Sequence, residues 1–108
     1  MIAQITPFEV RAKLLAGDPV YFLDVRNPDE YAYARIGDSP LIPLPDLSHR
    51  VDEVHPPKGA LVVVYCHHGV RSLSGAAILQ QAGLVNVASL RGGIDAWSLT
   101  VDPSVPRY

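Results

Sequence analysis

The stretch that decides the fold is LVVVYCHHGVRS, residues 61–72, which contains the only cysteine of the chain. Residues 61–65 are a short run of β-branched and apolar residues, which is typical of a strand buried on both faces of a sheet. From Ser72 onward, apolar residues recur near the 3.6-residue period of a helix, and Gly83 stands where that helix would end. The pattern predicts that Cys66 lies at the carboxyl end of a strand, in a loop that leads into a helix. Ligands bind at that place in open α/β sheets.

Strands and helices are predicted to alternate on both sides of this stretch. Thr6-Pro-Phe-Glu9 and Asn27-Pro-Asp-Glu30 each combine a capping residue, a proline at the first helical position and a glutamate at the third. The remaining elements are expected as follows, in chain order: a short strand at 2–5, a helix from Thr6 to about Ala16, a strand at 20–25, a helix at 28–35, a brief or edge strand at 41–44, a helical face at Leu47, Val51 and Val54, a strand at 85–90, a closing helix at 91–97, and packed coil from Ser98 to Tyr108. The alternation predicts a parallel α/β sheet, with residues 1–108 as one domain.

Composition and charge narrow the classes of partner. A formal net charge of -2 with 19% charged residues provides no basic stripe, so we expect no nucleic-acid partner. No apolar run approaches the roughly 20 residues of a membrane span, and the start of the chain lacks the pattern of a signal peptide. We therefore expect a soluble cytoplasmic protein without membrane association, in a reducing compartment where a single thiol stays available for chemistry.

The loop after the strand suits a reactive thiol. Only the thiolate is a good nucleophile, and a free cysteine has a pKa of about 8.5, so a reactive site must favour the charged form. A loop that enters a helix provides unpaired backbone N–H groups and a partial positive charge, and Arg71 adds a full one. Cys66 could instead be a small buried hydrophobe, as free cysteines often are. The polar sequence that follows it favours a loop built around an anion.

Three motifs give the chain a resemblance to the single-domain rhodaneses, a family of sulfurtransferases. Leu23-Asp-Val-Arg26 followed by Glu30-Tyr31 is similar to the first motif of the family. Residues 64–72 are similar to its active-site loop, and residues 90–97, LRGGIDAW, to its C-terminal signature. The motifs occur in the family's order and the resemblance extends over nearly the whole chain. One departure is Ala34-Arg-Ile36, where many members have Gly-His-Ile.

The resemblance implies a five-stranded parallel sheet with helices on both faces and a catalytic cysteine that cycles through a persulfide. Cys66 would then be the catalytic residue. The five loop residues after it would bind substrate: His67, His68, Gly69, Val70 and Arg71. A small anionic donor such as thiosulfate would supply the sulfur, and cyanide or a thiol such as glutathione or thioredoxin would accept it. No cofactor and no metal are expected.

Three alternatives stay open at this point. Cysteine-dependent phosphatases have five residues between cysteine and arginine, and related arsenate reductases share their longer loop, whereas four residues separate Cys66 from Arg71. Rhodanese-like domains also serve as non-catalytic binding or regulatory modules, usually where the cysteine is missing. A zinc site would need Cys66, His67 and His68 to converge on one ion, which three consecutive residues rarely do.

Several residues near these motifs are expected to have structural roles. Asp24 should bond loop backbone, and Arg26 should pair with Glu30, four residues further along the chain. The two loop histidines are expected to face solvent. Gly92 and Gly93 should allow a turn close to the cysteine loop.

Overall fold

A parallel sheet of four strands forms the centre of the computed structural model, which describes residues 1–108. The strands are β1 (Gln4–Ile5), β2 (Val20–Asp24), β3 (Leu61–Tyr65) and β4 (Val87–Leu90), in the spatial order β1-β4-β3-β2. The helices are α1 (Pro7–Leu15), α2 (Pro28–Tyr33), α3 (Leu44–Leu47), α4 (Arg71–Gln81) and α5 (Gly93–Thr100), with a 3-10 helix at Val51–Glu53. None of these helices has both the length and the apolar character needed to span a membrane.

Helices cover both faces of the sheet, as expected from the resemblance. Side chains alternate along a strand, so Val63 and Tyr65 of β3 point to one face and Val62 and Val64 to the other. The first pair belongs to a buried cluster with residues of α1 and α5, and the second to a cluster with residues of α3 and α4. β3 is therefore buried on both faces, which explains its continuous apolar sequence.

The capping signals in the sequence located the starts of α1 and α2. Thr6 and Glu9 form a reciprocal capping box at 2.9 and 3.2 Å, and at the start of α2 the Glu30 carboxylate accepts from the backbone N–H of Asn27 at 3.1 Å. α2 ends at Tyr33, two residues earlier than expected, because Ala34 is extended (φ −155°). At the other end of the chain, α5 continues three residues past Trp97, so part of the expected coil is helical.

The expected fifth strand is wrong. Residues 41–44 contribute only a one-residue bridge between Leu41 and Asp24. Pro43 has no N–H to donate to a ladder, and Leu44 already begins α3. The sheet therefore has four strands.

The single helical face expected at Leu47, Val51 and Val54 is also interrupted. α3 ends at Leu47, and the 3-10 helix begins only after Arg50, whose φ of −128° lies outside the helical region. Leu47 and Val54 are nevertheless both buried in the same cluster. The apolar spacing thus predicted burial correctly, although the backbone between these residues is not one helix.

Candidate active site

Cys66 follows β3 directly and is almost completely buried, with 1% of its surface exposed. Its Sγ accepts backbone N–H hydrogen bonds from Gly69 at 3.1 Å and Ser72 at 3.3 Å. Gly69 has a φ of +97°, a conformation that glycine adopts without strain and that lets the loop curl around the sulfur. Donors aimed at Sγ stabilise an anionic sulfur more than a neutral one. One of these amides belongs to Gly69, among the five loop residues expected to bind substrate, and the other belongs to Ser72, one residue beyond them.

The start of α5 holds the loop in place. Ile94 N–H donates to the carbonyl of Cys66 at 2.9 Å, and Asp95 N–H donates to that of His67 at 3.2 Å. These amides are in the first turn of a helix and have no partner within it. A Cβ on Gly93 would lie only 2.4 to 2.6 Å from Cys66 and His67 backbone atoms. The expected turn beside the loop is therefore confirmed, and at Gly93 only a residue without a side chain fits.

Arg71, the cationic residue of the loop, forms a two-pronged ion pair with Glu30. Its Nη1 and Nη2 donate to the two carboxylate oxygens at 2.8 and 2.9 Å. Glu30 also accepts from the Tyr108 hydroxyl at 2.7 Å. The hydrogen bonds from Arg71, with a smaller contribution from Tyr108, lower the pKa of Glu30 to about 2 against the opposing effect of burial. The negative charge of Glu30 therefore offsets the positive charge that Arg71 brings to the loop.

The expected pairing of Arg26 with Glu30 is wrong. Arg26 is fully buried and pairs with Asp24 instead, with Nη2 2.6 Å from a carboxylate oxygen and Nε at 2.9 and 3.1 Å from both. Arg26 lies only two residues after Asp24, and the two side chains meet, while Glu30 turns to Arg71. Asp24 also accepts from the backbone N–H of Arg26 at 2.9 Å, so its expected bond to loop backbone is confirmed.

The rim of the site is aromatic. The ring of His67 stacks on Tyr108 with centroids 3.8 Å apart and planes 8° from parallel, and it also stacks on His68 with centroids 3.8 Å apart. His68 is exposed, as expected, whereas His67 is partly covered by Tyr108. Val70 is 74% exposed. The five residues expected to bind substrate therefore differ in position: Gly69 is buried, Arg71 is ion-paired, and the other three lie on the rim, namely His67, His68 and Val70.

Tyr108 carries no sequence signal for a place at this site. Its hydroxyl accepts from Nη1 of Arg26 at 2.7 Å and donates to Glu30, linking the two ion pairs. Burial raises the pKa of Tyr108 to about 12, so the phenol keeps its proton at neutral pH. Its hydrogen-bond partners lie 41 to 82 positions away in sequence, and no local pattern predicts contacts over such separations.

Two serines below the sulfur also belong to the site. The Ser72 hydroxyl lies 3.4 Å from Sγ of Cys66 and 2.7 Å from the hydroxyl of Ser89 on β4, and both serines are fully buried. One signal for Ser89 was present in the sequence, since it is the only polar residue in the strand VASL.

Surface pockets lie away from the loop. One is lined by residues 56–60, Val62 and residues 84–86, and the other by residues 20–22 and 36–40. Neither pocket contains a residue of the cysteine loop. No three His, Cys, Asp or Glu side chains converge in a way that could hold a metal ion.

We expect Glu30→Gln to remove a pH-dependent part of the stability. The folded-state pKa of Glu30, about 2, lies below its ordinary value of 4.5. Its stabilising contribution is therefore complete above about pH 4.5 and is lost as the pH falls towards 2. At neutral pH the variant should lose about 1–2 kcal/mol of unfolding free energy, less than the full linkage value because 35% of the Arg71 side chain is exposed. Urea unfolding at a series of pH values from about 7 to about 3 should show the difference from wild type narrowing.

Asp29→Asn is the matched control. Asp29 occupies the same first turn of α2 but is exposed and makes no side-chain hydrogen bond or ion pair. The unfolding free energy of Asp29→Asn should stay within about 0.5 kcal/mol of the wild-type value at every pH. A Glu30→Gln difference that is equally large at low and neutral pH would contradict the role given to the ion pair.

Comparison with known proteins agrees with this geometry. A family model described as Rhodanese-like domain matches residues 6–100. The sulfurtransferase of Allochromatium vinosum is 36% identical over 98 residues, covering 91% of this chain and 90% of that protein. The probable adenylyltransferase/sulfurtransferase MoeZ of Mycobacterium tuberculosis is 34% identical over 104 residues, or 96% of this chain, which spans only 26% of MoeZ. The crystal structure of thiosulfate sulfurtransferase from Pseudomonas aeruginosa has a TM-score of 0.82 and 32% identity, covering 98% of this chain and 20% of that one. The resemblance seen in the three motifs is confirmed, and the chain belongs to the rhodanese-like domain family.

Proposed function

We propose that this protein is a sulfurtransferase that carries sulfane sulfur as a persulfide on Cys66. The observation that carries the proposal is the pair of backbone N–H groups, of Gly69 and Ser72, that point at Sγ from within one short loop. Such preorganised donors stabilise negative charge on sulfur without a general base. The sulfurtransferase names of the Allochromatium and Mycobacterium relatives support the same activity.

The reaction divides into two displacements at sulfur. In the first, the Cys66 thiolate attacks the outer sulfur of thiosulfate, a bond forms between Sγ and that sulfur, and the S–S bond of thiosulfate breaks. The electron pair of the broken bond leaves with sulfite, and Cys66 holds an anionic persulfide. In the second, cyanide or a thiolate attacks the terminal sulfur and takes it, and the Cys66 thiolate is restored. No oxidant or reductant is consumed.

The loop residues 67–71 are the proposed binding site for the donor. Arg71 has five N–H donors, and Glu30 occupies two of them, so the guanidinium retains hydrogen bonds to offer the oxygens of an anion. Because Glu30 offsets its charge, backbone amides must contribute much of the anion's binding. Thiosulfate is the donor we propose, since a loop of six residues suits a small anion and the similar Pseudomonas aeruginosa structure is a thiosulfate sulfurtransferase.

A thiol is the proposed acceptor in the cell. The persulfide would end at the exposed rim formed by His68 and Val70, where a small thiol such as glutathione or a protein thiol such as that of thioredoxin can approach. Cyanide serves as the acceptor in an assay.

Loop length argues against phosphate transfer. Six residues from Cys66 through Arg71 form the loop. A phosphatase loop of the related kind has one residue more. The geometry therefore favours a bound sulfur atom over a phosphate or arsenate group.

Mass spectrometry of the intact protein tests the proposal directly. Incubation with thiosulfate should add the mass of one sulfur atom, and subsequent cyanide should remove it and release thiocyanate. The chain has one cysteine, so prior alkylation with iodoacetamide is a complete control and should prevent the gain. A non-catalytic binding module would gain no mass, and that result would overturn the proposal.

A further inference from the structure

The two serines beneath Cys66 form a chain of hydrogen bonds that ends at the sulfur. Sγ lies 3.4 Å from the Ser72 hydroxyl, which lies 2.7 Å from the Ser89 hydroxyl. Both serines are fully buried, and neither hydroxyl has any other partner. Ser89 does not touch the sulfur, so any influence it has on Cys66 must act through Ser72.

A count of hydrogens distinguishes the two protonation states of the cysteine. In the thiol state the three groups carry three hydrogens, but only two contacts connect them, so one donor is left without an acceptor inside the protein. In the thiolate state two hydrogens fill two contacts: Ser89 donates to Ser72, and Ser72 donates to the anionic Sγ. The inner sulfur of a persulfide carries no hydrogen either and leaves the same order of bonds intact.

We propose that Ser72 and Ser89 act as a two-hydroxyl relay that favours the deprotonated sulfur, with Ser89 as a positioning residue. The inference deepens the proposed function, because the thiolate is the form that attacks the donor. When the thiol ionises, its proton leaves to bulk water and both hydroxyls turn towards the sulfur. A bond to a charged acceptor is stronger than one between neutral groups, and the low dielectric of the interior increases that difference.

The pH dependence of alkylation measures this effect without any sulfur donor. Iodoacetamide reacts with the thiolate, so its rate with Cys66 rises with pH to a plateau. In Ser89→Ala the pH of half-maximal rate should rise by about half a unit to one unit, which makes alkylation about three- to tenfold slower on the acidic side of the transition. Ser72→Ala should shift it at least as far.

The double variant gives the decisive comparison. If Ser89 acts only through Ser72, then Ser89→Ala should change nothing further in a Ser72→Ala protein, and the two effects should not add. Ser98→Ala is the matched control, because Ser98 is buried and donates to the Val105 carbonyl at 2.6 Å without contacting Cys66. Ser98→Ala should lower the stability without shifting the pH dependence of alkylation.

Two results would overturn the relay: an unchanged profile in Ser89→Ala, or additive shifts in the double variant. If Ser89→Ala does not fold, Ser89→Thr keeps the hydroxyl, and the relay then requires its profile to match that of wild type. The outcome is independent of the mass-spectrometric test, since a protein that never accepts sulfur still alkylates its thiolate.

Discussion

Replacing Cys66 by serine should reduce thiosulfate-dependent thiocyanate formation to the uncatalysed background, a loss of at least about a thousandfold. A serine hydroxyl is a weak nucleophile unless a general base accepts its proton. The partners of Sγ are two backbone N–H groups and the Ser72 hydroxyl, none of which is such a base. The loop contains no second sulfur that could hold the transferred atom. The assay is the rate of thiocyanate release with cyanide as the acceptor.

The fold of this variant should be preserved, which makes the loss interpretable. Serine is smaller than cysteine, and its oxygen can accept from the same amides of Gly69 and Ser72. Ser74→Ala is the matched control, because Ser74 is exposed on α4 and takes no part in the loop. It should keep the wild-type rate. Residual thiocyanate formation above background in Cys66→Ser would show that another group carries the sulfur.

The strand, loop and helix around Cys66 could be predicted because each depends on local chemistry. Five consecutive apolar residues led to a strand buried on both faces, and the change to a helical period located the loop. Proline and capping residues marked α1 and α2 for the same reason, since their hydrogen bonds close within four residues. Local signals therefore located the cysteine correctly in the fold.

Local signals do not predict contacts between distant parts of the chain. Arg26 and Glu30 have the spacing of a helical pair, but Arg26 lies in the loop between β2 and α2 and finds its partner in Asp24. Glu30 instead meets Arg71, and Tyr108 joins both pairs from the other end of the chain. Such choices depend on which side chains the completed fold brings together, and sequence spacing alone does not determine them.

Gly93→Ala should have the largest effect on stability among the substitutions considered. Gly93 has a φ of +62°, and an added Cβ would lie 2.4 Å from the His67 carbonyl oxygen and 2.5 Å from that of Cys66. Both neighbours are backbone atoms, which cannot rotate away as a side chain could. The left-handed conformation costs about 1–2 kcal/mol, and moving the loop would break the hydrogen bonds from Ile94 and Asp95, each worth about 1 kcal/mol.

Gly93→Ala is therefore expected to lose about 3–4 kcal/mol of unfolding free energy, which corresponds to a fall in Tm of at least about 12 °C. Sulfur transfer should fall with it, since displacing the carbonyl of Cys66 shifts the amides that bind Sγ. Gly37→Ala is the matched control: its φ is +55°, but nothing lies within 4 Å of the added Cβ, so it pays only the conformational cost. The additional unfolding free energy lost in Gly93→Ala, relative to Gly37→Ala, measures how much the close contact between α5 and the cysteine loop contributes to stability. Equal losses in the two variants would mean that the loop can move aside freely, and the close approach of α5 would then not be what holds Cys66 in place.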